Sequence, residues 1–582
     1  MLNNIVLLKE KRAMAELCEV DEPFIYRLND NGSGPSLLVK VCSERGWRMY
    51  QGYNACIEER WNLWWRTSAF PAASYKTLGD WQFMNHIPKG GSICRKDSLS
   101  RLLRCMRRIY GSIYDFSPPC FHLPLEYAKL VAECSRLRHE QDGSAVWIHK
   151  PVAQSQGRGI FLFRSICEMR CGSAAVAQRY IERPLLIAGY KFDLRLYVCV
   201  PGYRPLTAYM YAEGLARFGT DKYTLSDIHN PYRHLTNSSL NKTGPRYAEC
   251  KDRIGSGCKW TLKQVRRALV GRWEATEWLV WQRIRALVTL TLLAQATGTP
   301  PARNCFEFYG FDVLLDDALK PWLLEVNLSP ALAADCEADV TVKRPMLHEL
   351  FDLLGLPMRH TGLSLLKGPP ATHINSASPD NCDNTVRTVR PRTSVLPVGR
   401  PRPLRRRRAM PIHCVTLQAP SLDKDTESND KGKYANSGSP SSTSISSGSP
   451  EESDSQSSPS VATPSTEEES WRGGHATAAS RRRMINACSW GNGVRWERAP
   501  ARVGQWVRIY PHTLPDNEIQ IEEVRESVAH VSKFVRAARE VAREHARDAR
   551  APRDSTRDAD FEATLRKKLA YGPNFEVWLP PV

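Results

Sequence analysis

The composition of this chain changes abruptly near residue 358, and that break limits what each part of the chain can fold into. Residues 27–358 mix apolar and polar residues as a folded domain does, whereas residues 359–475 are rich in Pro, Ser, Thr and Arg. A segment so poor in apolar residues cannot bury enough surface to form a core. We therefore predict a flexible N-terminus at 1–26, a folded domain at 27–358 and a disordered Ser/Pro/Arg-rich linker at 359–515.

Apolar residues near the C-terminus recur at alternating spacings of three and four, which places them on one face of a helix. These residues are Ile521, Val524, Val528, Val531, Val535 and Ala538. We predict an amphipathic basic helix at 516–550, capped by Asp516 or Asn517 and ended before Pro552. So few heptads favour packing on its own domain or on a partner over a dimerising coiled coil. Residues 551–582 are predicted to be a C-terminal tail.

The net charge of the chain indicates which classes of partner it could bind. The chain has 81 Lys and Arg against 62 Asp and Glu, a formal net charge of +19. This excess favours nucleic acid, anionic lipid or an acidic protein tail, but no zinc finger, RNP-like strand or basic-region zipper supports nucleic acid. The most apolar run, Ala286 to Ala294, is too short to cross a bilayer. The 17 cysteines, without a CxxC pair, fit reduced thiols, so we expect a cytoplasmic protein with no membrane span.

Strand-like and helical runs alternate in residues 27–358 without the regular beat of βαβ units, which predicts the α+β fold class. The main strand-like runs are Val146 to His149, Ile160 to Phe163, Phe192 to Val200 and Trp322 to Asn327. The main helical runs are Leu262 to Val270 and Glu277 to Gln295.

Two apolar runs, Phe308 to Leu315 and Pro321 to Val326, flank a turn-forming segment and predict a β-hairpin. In this hairpin Asp312 lies opposite Glu325, and the two-residue period of strands puts Asn327 on the same face as Glu325. Oxygen donors on one face suit magnesium, which shares its ligands with substrate phosphates. The alternative is a solvated sheet face, but the apolar neighbours favour a packed hairpin, in which grouped carboxylates need a cation.

Two further segments could contact phosphates. Strict alternation from Lys191 to Tyr197 puts Lys191, Asp193 and Arg195 on one strand face. On that face Arg195 could bind phosphate oxygens through two hydrogen bonds. The alternative is an ordinary half-exposed strand. The glycines of Ser155 to Ile160 lie between two strand-like runs, which supports neither a dinucleotide fingerprint nor a Walker-type loop. The segment suits an ordinary hairpin turn or a lid whose N–H groups approach phosphates, with Lys150 as a point charge.

Six ordered elements together resemble the tubulin tyrosine ligase-like family of ATP-grasp enzymes. They are Lys150, Ser155-x-Gly157-x-Gly159-Ile160, Gln178-x-Tyr180-Ile181, Lys191-Phe-Asp193-Leu-Arg195, His234-Leu-Thr236-Asn237 and Asp312…Glu325-Val-Asn327. The similarity spans about Arg27 to Leu356 and includes Asn85-His86-x-Pro88 and Arg95-Lys96-Asp97. It implies an ATP-grasp-like ligase core with an N-terminal subdomain, in which ATP lies between two sheet-containing subdomains.

The resemblance also implies a role for individual residues. ATP and Mg²⁺ are the expected cofactors, with Lys150, Arg195 and Asn237 as catalytic residues. The implied metal ligands are Asp312, Glu325 and Asn327. The implied nucleotide-binding residues are Lys150, Gln156, Gly157, Gln178, Arg179, Tyr180, Ile181, Lys191, Phe192, Asp193, Thr236 and Asn237. The donor amino acid is expected to contact Arg217, Ser238, Ser239 and Lys259.

The implied reaction phosphorylates a glutamate side chain of a tubulin tail, and the amine of a free amino acid then displaces phosphate. Arg217 and Lys259 suit a dicarboxylic donor, which favours L-glutamate unless both cations pair with local acids. We expect a monomer that acts on the acidic tails of microtubules in the cytoskeleton and at the basal body of a cilium or flagellum. A tubulin glycylase remains an alternative. So does a catalytically silent microtubule-binding module, which should have lost a metal ligand.

Overall fold

The computed structural model describes residues 24–51, 61–140, 145–152, 154–169, 174–357, 490–512, 524–547, 556–572 and 574–582. They all belong to a first unit, which comprises residues 1–372 and 475–582, whereas the second unit, 373–474, lies outside the described residues. Most of the predicted N-terminus and linker, and the predicted caps Asp516, Asn517 and Pro552, also lie outside the described residues.

The secondary structure mixes strands and helices within one unit, which confirms the α+β class. The strands are β1 (Ile25–Leu28), β2 (Arg48–Met49), β3 (Leu63–Trp65), β4 (Phe83–Met84), β5 (Cys120–Leu123), β6 (Trp147–Pro151), β7 (Phe161–Phe163), β8 (Ala175–Arg179), β9 (Leu186–Ile187), β10 (Tyr190–Tyr203), β11 (Leu206–Phe218), β12 (Lys259–Thr261), β13 (Glu307–Leu315), β14 (Pro321–Asn327), β15 (Arg502–Val503) and β16 (Trp506–Tyr510). The α-helices are α1 (Ser36–Glu44), α2 (Lys96–Tyr110), α3 (Tyr127–Glu140), α4 (Pro231–His234), α5 (Ser238–Asn241), α6 (Tyr247–Ile254), α7 (Leu262–Ala296), α8 (Glu337–Leu353), α9 (Val524–Arg547) and α10 (Thr556–Leu569). The first strand begins at Ile25, slightly before the predicted domain start at residue 27.

The strands of the described residues form three sheets. A parallel N-terminal sheet has the order β2-β1-β3-β4, and an antiparallel sheet has the order β5-β8-β6-β7. The central sheet has the order β14-β13-β10-β11-β16-β15, with β9 paired to β10 and β12 paired to β11. The long strands β10 and β11 therefore lie in the middle of the largest sheet.

Alternation along β10 separates the core from the opposite face of the sheet. Phe192 and Leu194 are buried in the same hydrophobic core as Val280 and Ile284 of α7. The residues between them in sequence point the other way, as the two-residue period of a strand requires. The predicted division of this strand into two faces is confirmed.

Helix α7 is one continuous helix where the sequence suggested two helical runs. It begins with a capping box, in which Gln264 N donates to Thr261 Oγ1 at 3.3 Å and Thr261 N donates to Gln264 Oε1 at 2.9 Å. Among the described residues, no helix combines the length and apolar character needed to cross a membrane. The cysteines of the described ranges are free thiols.

The predicted linker and tail contain folded segments. Strand β16 pairs with β11, with Val507 opposite Met210, and so extends the central sheet. Trp578 is fully buried, and its Nε1 donates to Tyr211 O at 2.9 Å. The predicted linker end at 515 and the predicted tail at 551–582 are therefore wrong. A few large aromatic residues suffice to anchor segments whose average composition is polar.

Helix α9 packs on α7 of its own domain, one of the two arrangements expected for the C-terminal amphipathic helix. Val528, Val531, Val535 and Ala538 of the predicted stripe are buried. The guanidinium of Arg285 in α7 lies 4.8 Å from the ring centroid of Phe534 in α9 and 4.9 Å from that of Phe575. This cation–π contact ties the helix and the last residues of the chain to the main core.

Candidate active site

A cleft of about 700 Å³ is lined by residues of both the antiparallel sheet and the central sheet. Ten lysines and arginines line it against five aspartates and glutamates, so its charge suits an anionic ligand. Its volume falls in the usual range for small-molecule sites. The predicted site residues that line it are Lys150, Gln156, Gly157, Gln178, Arg179, Tyr180, Ile181, Lys191, Asp193, Arg195, Arg217, Thr236, Asn237, Ser238, Ser239, Lys259, Asp312, Glu325 and Asn327.

Phe192 is the predicted site residue that the structure places elsewhere. Its side chain is 1% exposed on the core face of β10, with its ring centroid 5.5 Å from that of Phe218. Strand alternation turns it away from its neighbours Lys191 and Asp193. Phe192, which was expected to bind the nucleotide, therefore does not line the cleft.

The β13–β14 hairpin has the predicted register. Asp312 pairs with Glu325, and Gly310 pairs with Asn327, whose Nδ2 donates to Gly310 O at 3.2 Å. Both carboxylates and the Asn327 side chain line the cleft. The hairpin thus presents three oxygen-bearing side chains on one face.

Asp312 is held by two arginines. Its Oδ1 accepts from Arg195 Nε at 2.5 Å, and its Oδ2 accepts from Arg217 Nη2 at 2.7 Å. Arg217 also bonds both carboxylate oxygens of Asp193. Burial alone favours the neutral acid, yet Arg195 and Arg217 hold the pKa of Asp312 well below its usual range. The two arginines therefore favour the ionised form of Asp312.

Glu325 has a weaker cationic partner. Lys96 Nζ lies 3.7 Å from its Oε2, and burial together with the nearby Asp312 charge raises the pKa of Glu325. A divalent cation would relieve this repulsion, so the donor set fits magnesium. No group of three or more His, Cys, Asp or Glu in the described ranges is arranged to hold a metal ion. Two carboxylates and an amide would leave coordination positions for phosphate oxygens, as magnesium prefers.

Two lysines, the half-buried Lys150 and the buried Lys191, face the same cleft. Lys150 Nζ donates to Gln178 Oε1 at 2.7 Å, and burial lowers the pKa of Lys150. Lys191 Nζ donates to Tyr180 Oη at 2.9 Å and to the backbone oxygen of His234 at 2.8 Å, and burial lowers its pKa to about 7. Because neutral groups accept these hydrogen bonds, an anionic ligand would supply the charge that both ammonium groups lack.

The glycine-containing segment is a hairpin connection, as predicted. Strands β6 and β7 pair antiparallel, with Ile148 opposite Leu162. Gly157 has φ of +82°, and a Cβ added there would lie 3.0 Å from Asn237 Oδ1. The absence of a side chain at Gly157 therefore lets the connection approach Asn237 across the cleft.

Two of the residues expected to hold the donor amino acid lie on adjacent strands of the central sheet. Lys259 on β12 is the register partner of Arg217 on β11, and its Nζ donates to Asp339 Oδ2 at 2.6 Å. Ser238 and Ser239 form the first turn of α5. Arg217 and Lys259 both pair with local acids. This pairing is the alternative to a donor contact that the sequence left open.

The cleft-lining residues that were not assigned a role from the sequence include Lys96, Tyr197, Asp339 and Lys343. Lys96 belongs to the Arg95-Lys96-Asp97 motif, which is part of the family resemblance but was not assigned a function. No local sequence pattern marked Asp339 or Lys343, because Asp339 contacts Lys259 across a sequence separation of 80 residues. Only tertiary packing of α8 brings them to the cleft.

Comparison with known proteins agrees with this arrangement. The family model described as "Tubulin-tyrosine ligase family" matches residues 74–361, which contain the whole cleft lining. The chain is 44% identical over 377 residues to the Homo sapiens protein named "Probable tubulin polyglutamylase TTLL2", covering 63% of this chain and 62% of that protein. It therefore spans less than two thirds of that relative's length.

Two further relatives are covered more completely. The chain is 33% identical over 362 residues to "Probable tubulin polyglutamylase TTLL9" of Bos taurus, which is 52% of this chain and 75% of that protein. It is 32% identical over 358 residues to "Probable alpha-tubulin polyglutamylase Ttll1" of Tetrahymena thermophila, which is 55% of this chain and 83% of that protein. The chain therefore belongs to the tubulin-tyrosine ligase family, and its ligase core is ATP-grasp-like, as the sequence analysis predicted.

Proposed function

We propose that this chain is an ATP-dependent ligase that adds L-glutamate to glutamate side chains in tubulin tails, a tubulin polyglutamylase. One observation carries the proposal: Asp312 and Glu325 meet Lys150 and Arg195 in a single, positively lined cleft. The relatives reported above bear the name polyglutamylase, which supports the same class of activity here.

Each residue is assigned a part in positioning or charge neutralisation. Lys150 and Arg195 hold phosphate oxygens, and Asn237, beside the Gly157 connection, reaches the terminal phosphate with Thr236. Asp312, Glu325 and Asn327 hold magnesium, which neutralises phosphate charge. Adenine lies beside Gln178 to Ile181, with Lys191 and Asp193 completing the pocket.

The proposed chemistry has two steps and needs no nucleophile from the protein. An oxygen of the acceptor carboxylate attacks the γ-phosphorus of ATP, ADP leaves, and an acyl phosphate forms. The amine nitrogen of the donor then attacks the acyl carbon, phosphate leaves, and the amide nitrogen loses a proton. Positioning and charge neutralisation carry most of such a phosphoryl transfer, and these are what Lys150 and Arg195 provide.

Both substrates are acidic in this proposal, which agrees with the ten basic and five acidic side chains of the cleft. An acidic tubulin tail is attracted to such a surface, and the attraction weakens as salt rises. Arg217, Ser238, Ser239 and Lys259 are proposed to contact free L-glutamate. We propose that the protein acts as a monomer on microtubules of the cytoskeleton, including those of the cilium or flagellum basal body.

The test is to incubate the purified protein with microtubules, ATP, magnesium and each labelled amino acid, and to weigh the tubulin tail peptides. Mass gains in units of glutamate are expected, and gains of glycine would identify a glycylase instead. No gain with any amino acid, with or without partner proteins, would identify a silent microtubule-binding module. The variant Glu325→Gln, assayed in parallel, shows whether any gain depends on the metal site.

A further inference from the structure

Two buried thiols contact each other beside the turn that leads into β12. Cys250 belongs to α6, and Cys258 ends the short turn Ser256–Cys258 that directly precedes Lys259. Both cysteines are free thiols, and their exposed fractions are 0% and 2%. Their side chains are hydrogen-bonded to each other. The two sulfur atoms are therefore already neighbours in the folded protein, with only seven residues between them in the chain.

The other contacts of the two thiols are weak. Cys250 Sγ lies 3.8 Å from Gly219 O, just after β11, and Cys258 Sγ lies 3.9 Å from Tyr247 O at the start of α6. A thiol is a poor hydrogen-bond donor. Little stability is therefore lost when these two contacts are exchanged for a covalent bond between the sulfur atoms.

The turn between the two cysteines has an unusual backbone. Gly257 has φ of +72° and Cys258 has φ of +51°, which lies in the left-handed region that a residue with a side chain seldom adopts. Gly257 also packs closely on Cys336, since a Cβ added to it would lie 2.8 Å from Cys336 Sγ. Strained residues of this kind are frequent in switch regions. A covalent change at Cys258 therefore acts on a turn that has little room to adjust.

The charges around the two thiols give them different reactivity. The hydrogen bond from Cys250 and the nearby charge of Lys251 lower the pKa of Cys258. The same hydrogen bond, burial and the nearby carboxylates of Asp221 and Glu249 raise the pKa of Cys250. Because the thiolate is the nucleophilic form of cysteine, Cys258 is the thiol that an oxidant attacks first, and Cys250 is the neighbour that completes the reaction.

We propose that Cys250 and Cys258 are a redox-sensitive pair that a peroxide converts into a disulfide. The Cys258 sulfur attacks one peroxide oxygen, the O–O bond breaks, and the departing hydroxide takes up a proton to become water. The Cys250 sulfur then attacks the Cys258 sulfenic acid, the S–O bond breaks, and the hydroxide leaves as water with the Cys250 proton. Two thiols are oxidised to one disulfide, and one peroxide is reduced to two waters. Peroxide reaches the pair through local opening of the short helix α6, and a thiol reductant reverses the change.

The disulfide acts on the cleft through Lys259, the residue after Cys258. Lys259 is the register partner of Arg217, and its Nζ donates to Asp339 Oδ2 at 2.6 Å. A disulfide brings its sulfur atoms to about 2.05 Å, which is closer than a hydrogen bond allows, so the turn must move. A displacement of about 1 Å in a site can lower turnover by about a hundredfold. Oxidation is therefore expected to lower ligase activity reversibly, and this consequence alone rests on the proposed function.

The test treats the full-length protein with hydrogen peroxide and maps its disulfides by mass spectrometry after trypsin digestion without reduction. Trypsin leaves Cys250 in the peptide 247–251 and Cys258 in the peptide 254–259. The expected product joins these two peptides, is lighter than their sum by two hydrogens, and disappears after dithiothreitol. Recovery of the two peptides unlinked, or a link from Cys258 to Cys336, would overturn the proposal.

Variants separate this pair from the other cysteines. Cys250→Ser and Cys258→Ser should each abolish the linked product. Cys105→Ser is the matched control, because Cys105 is an exposed thiol on α2, and it should leave the yield of the linked product unchanged. A yield that falls equally in all three variants would show general oxidation and would contradict a specific pair.

The outcomes also separate this inference from the proposed function, because the peptide map requires no ligase activity. If the wild-type protein modifies no tubulin but forms the linked product, the thiol pair stands and the proposed function is wrong. If it modifies tubulin but forms no linked product, the thiol pair is wrong and the proposed function stands. Full tubulin modification by the disulfide form would contradict the effect of the turn on Lys259.

Discussion

Asp312 and Glu325 face each other across the β13–β14 hairpin, yet only Asp312 is bonded to arginine. Arg195 and Arg217 keep the pKa of Asp312 low in spite of burial, whereas burial and the Asp312 charge raise the pKa of Glu325. The two carboxylates therefore differ in their need for a cation. Asp312 already has its counter-charges, and Glu325 is the one that a bound metal relieves.

This difference predicts opposite effects of Glu325→Gln on stability and on activity. Because the pKa of Glu325 is raised in the folded state, its ionisation at neutral pH lowers the free energy of unfolding. Glutamine removes that effect, so the metal-free variant should melt at a slightly higher temperature. It should also lose at least about a hundredfold in kcat, because one charged metal ligand is gone. Full activity in this variant would contradict the metal assignment.

Asp312→Asn makes the matched comparison at the paired position. It leaves Arg195 and Arg217 with one buried carboxylate fewer, and removing one member of a buried ion pair costs about 3–5 kcal/mol. Urea unfolding of the metal-free protein should therefore show a large loss of stability, in contrast to Glu325→Gln. Equal stability of the two variants would show that the arginines do not depend on Asp312.

Lys191 predicts a pH dependence of nucleotide affinity. Burial lowers its pKa to about 7 in the free protein, and a bound anion raises it again, so binding takes up a proton above that pH. The affinity for ATP should therefore fall about tenfold between pH 6.5 and 8.5. Titration of a fluorescent nucleotide measures this dependence, and Lys191→Met should flatten it. A wild-type affinity that is constant over this range would contradict the prediction.

Trp578 predicts that the last residues of the chain stabilise the whole domain. Its ring is fully buried, lies 5.9 Å from that of Trp281 at an interplanar angle of 69°, and donates to Tyr211 O. Trp578→Ala should lower the free energy of unfolding by about 3–5 kcal/mol, as other large cavities do. Leu125→Ala is the control, because Leu125 is 88% exposed and should change stability by less than about 0.5 kcal/mol. Urea titration measures both.

The chain leaves the first folded segment and returns to it at nearly the same place. Asn492 Nδ2 donates to Leu354 O at 2.9 Å, so the described residues that precede and follow the span 358–489 lie close together. Replacing residues 361–486 by about ten Gly and Ser residues should therefore preserve the fold. The shorter connection should add up to about 2 kcal/mol of stability, because it is less costly to close. Precipitation or a lower melting temperature of this variant would show that the removed span contributes to the fold.

The parts of the site that could be predicted from sequence depend on local periodicity. The faces of β10 and the register of the β13–β14 hairpin follow from a two-residue period, which is why Asp193, Arg195, Asp312 and Glu325 were predicted together. The same rule puts the Phe192 side chain on the core face, although the family resemblance had included Phe192 among the nucleotide-binding residues. Local pattern is sufficient wherever one strand or one turn decides the direction of a side chain.

The parts that could not be predicted depend on contacts between distant segments. Asp339 and Lys343 are four residues apart on α8, and nothing local shows that this helix turns them towards Lys259. The folded character of residues 490–512 and 556–572 was missed for a related reason. Average composition describes whether a segment can form its own core, whereas Trp506 and Trp578 complete a core that other segments have already built.

The order of the strands has a consequence for synthesis of the protein on the ribosome. Strand β11 receives β16 as its neighbour, but about 150 residues separate the end of α8 from Trp506. At a translation rate of about 5–20 residues per second, roughly 8–30 s pass before that partner strand emerges. During this interval the nascent sheet has an open edge at Ala208 to Tyr211, and such edges pair readily with other chains. Yield of soluble protein should therefore depend on chaperones that shield this edge until the final segment arrives.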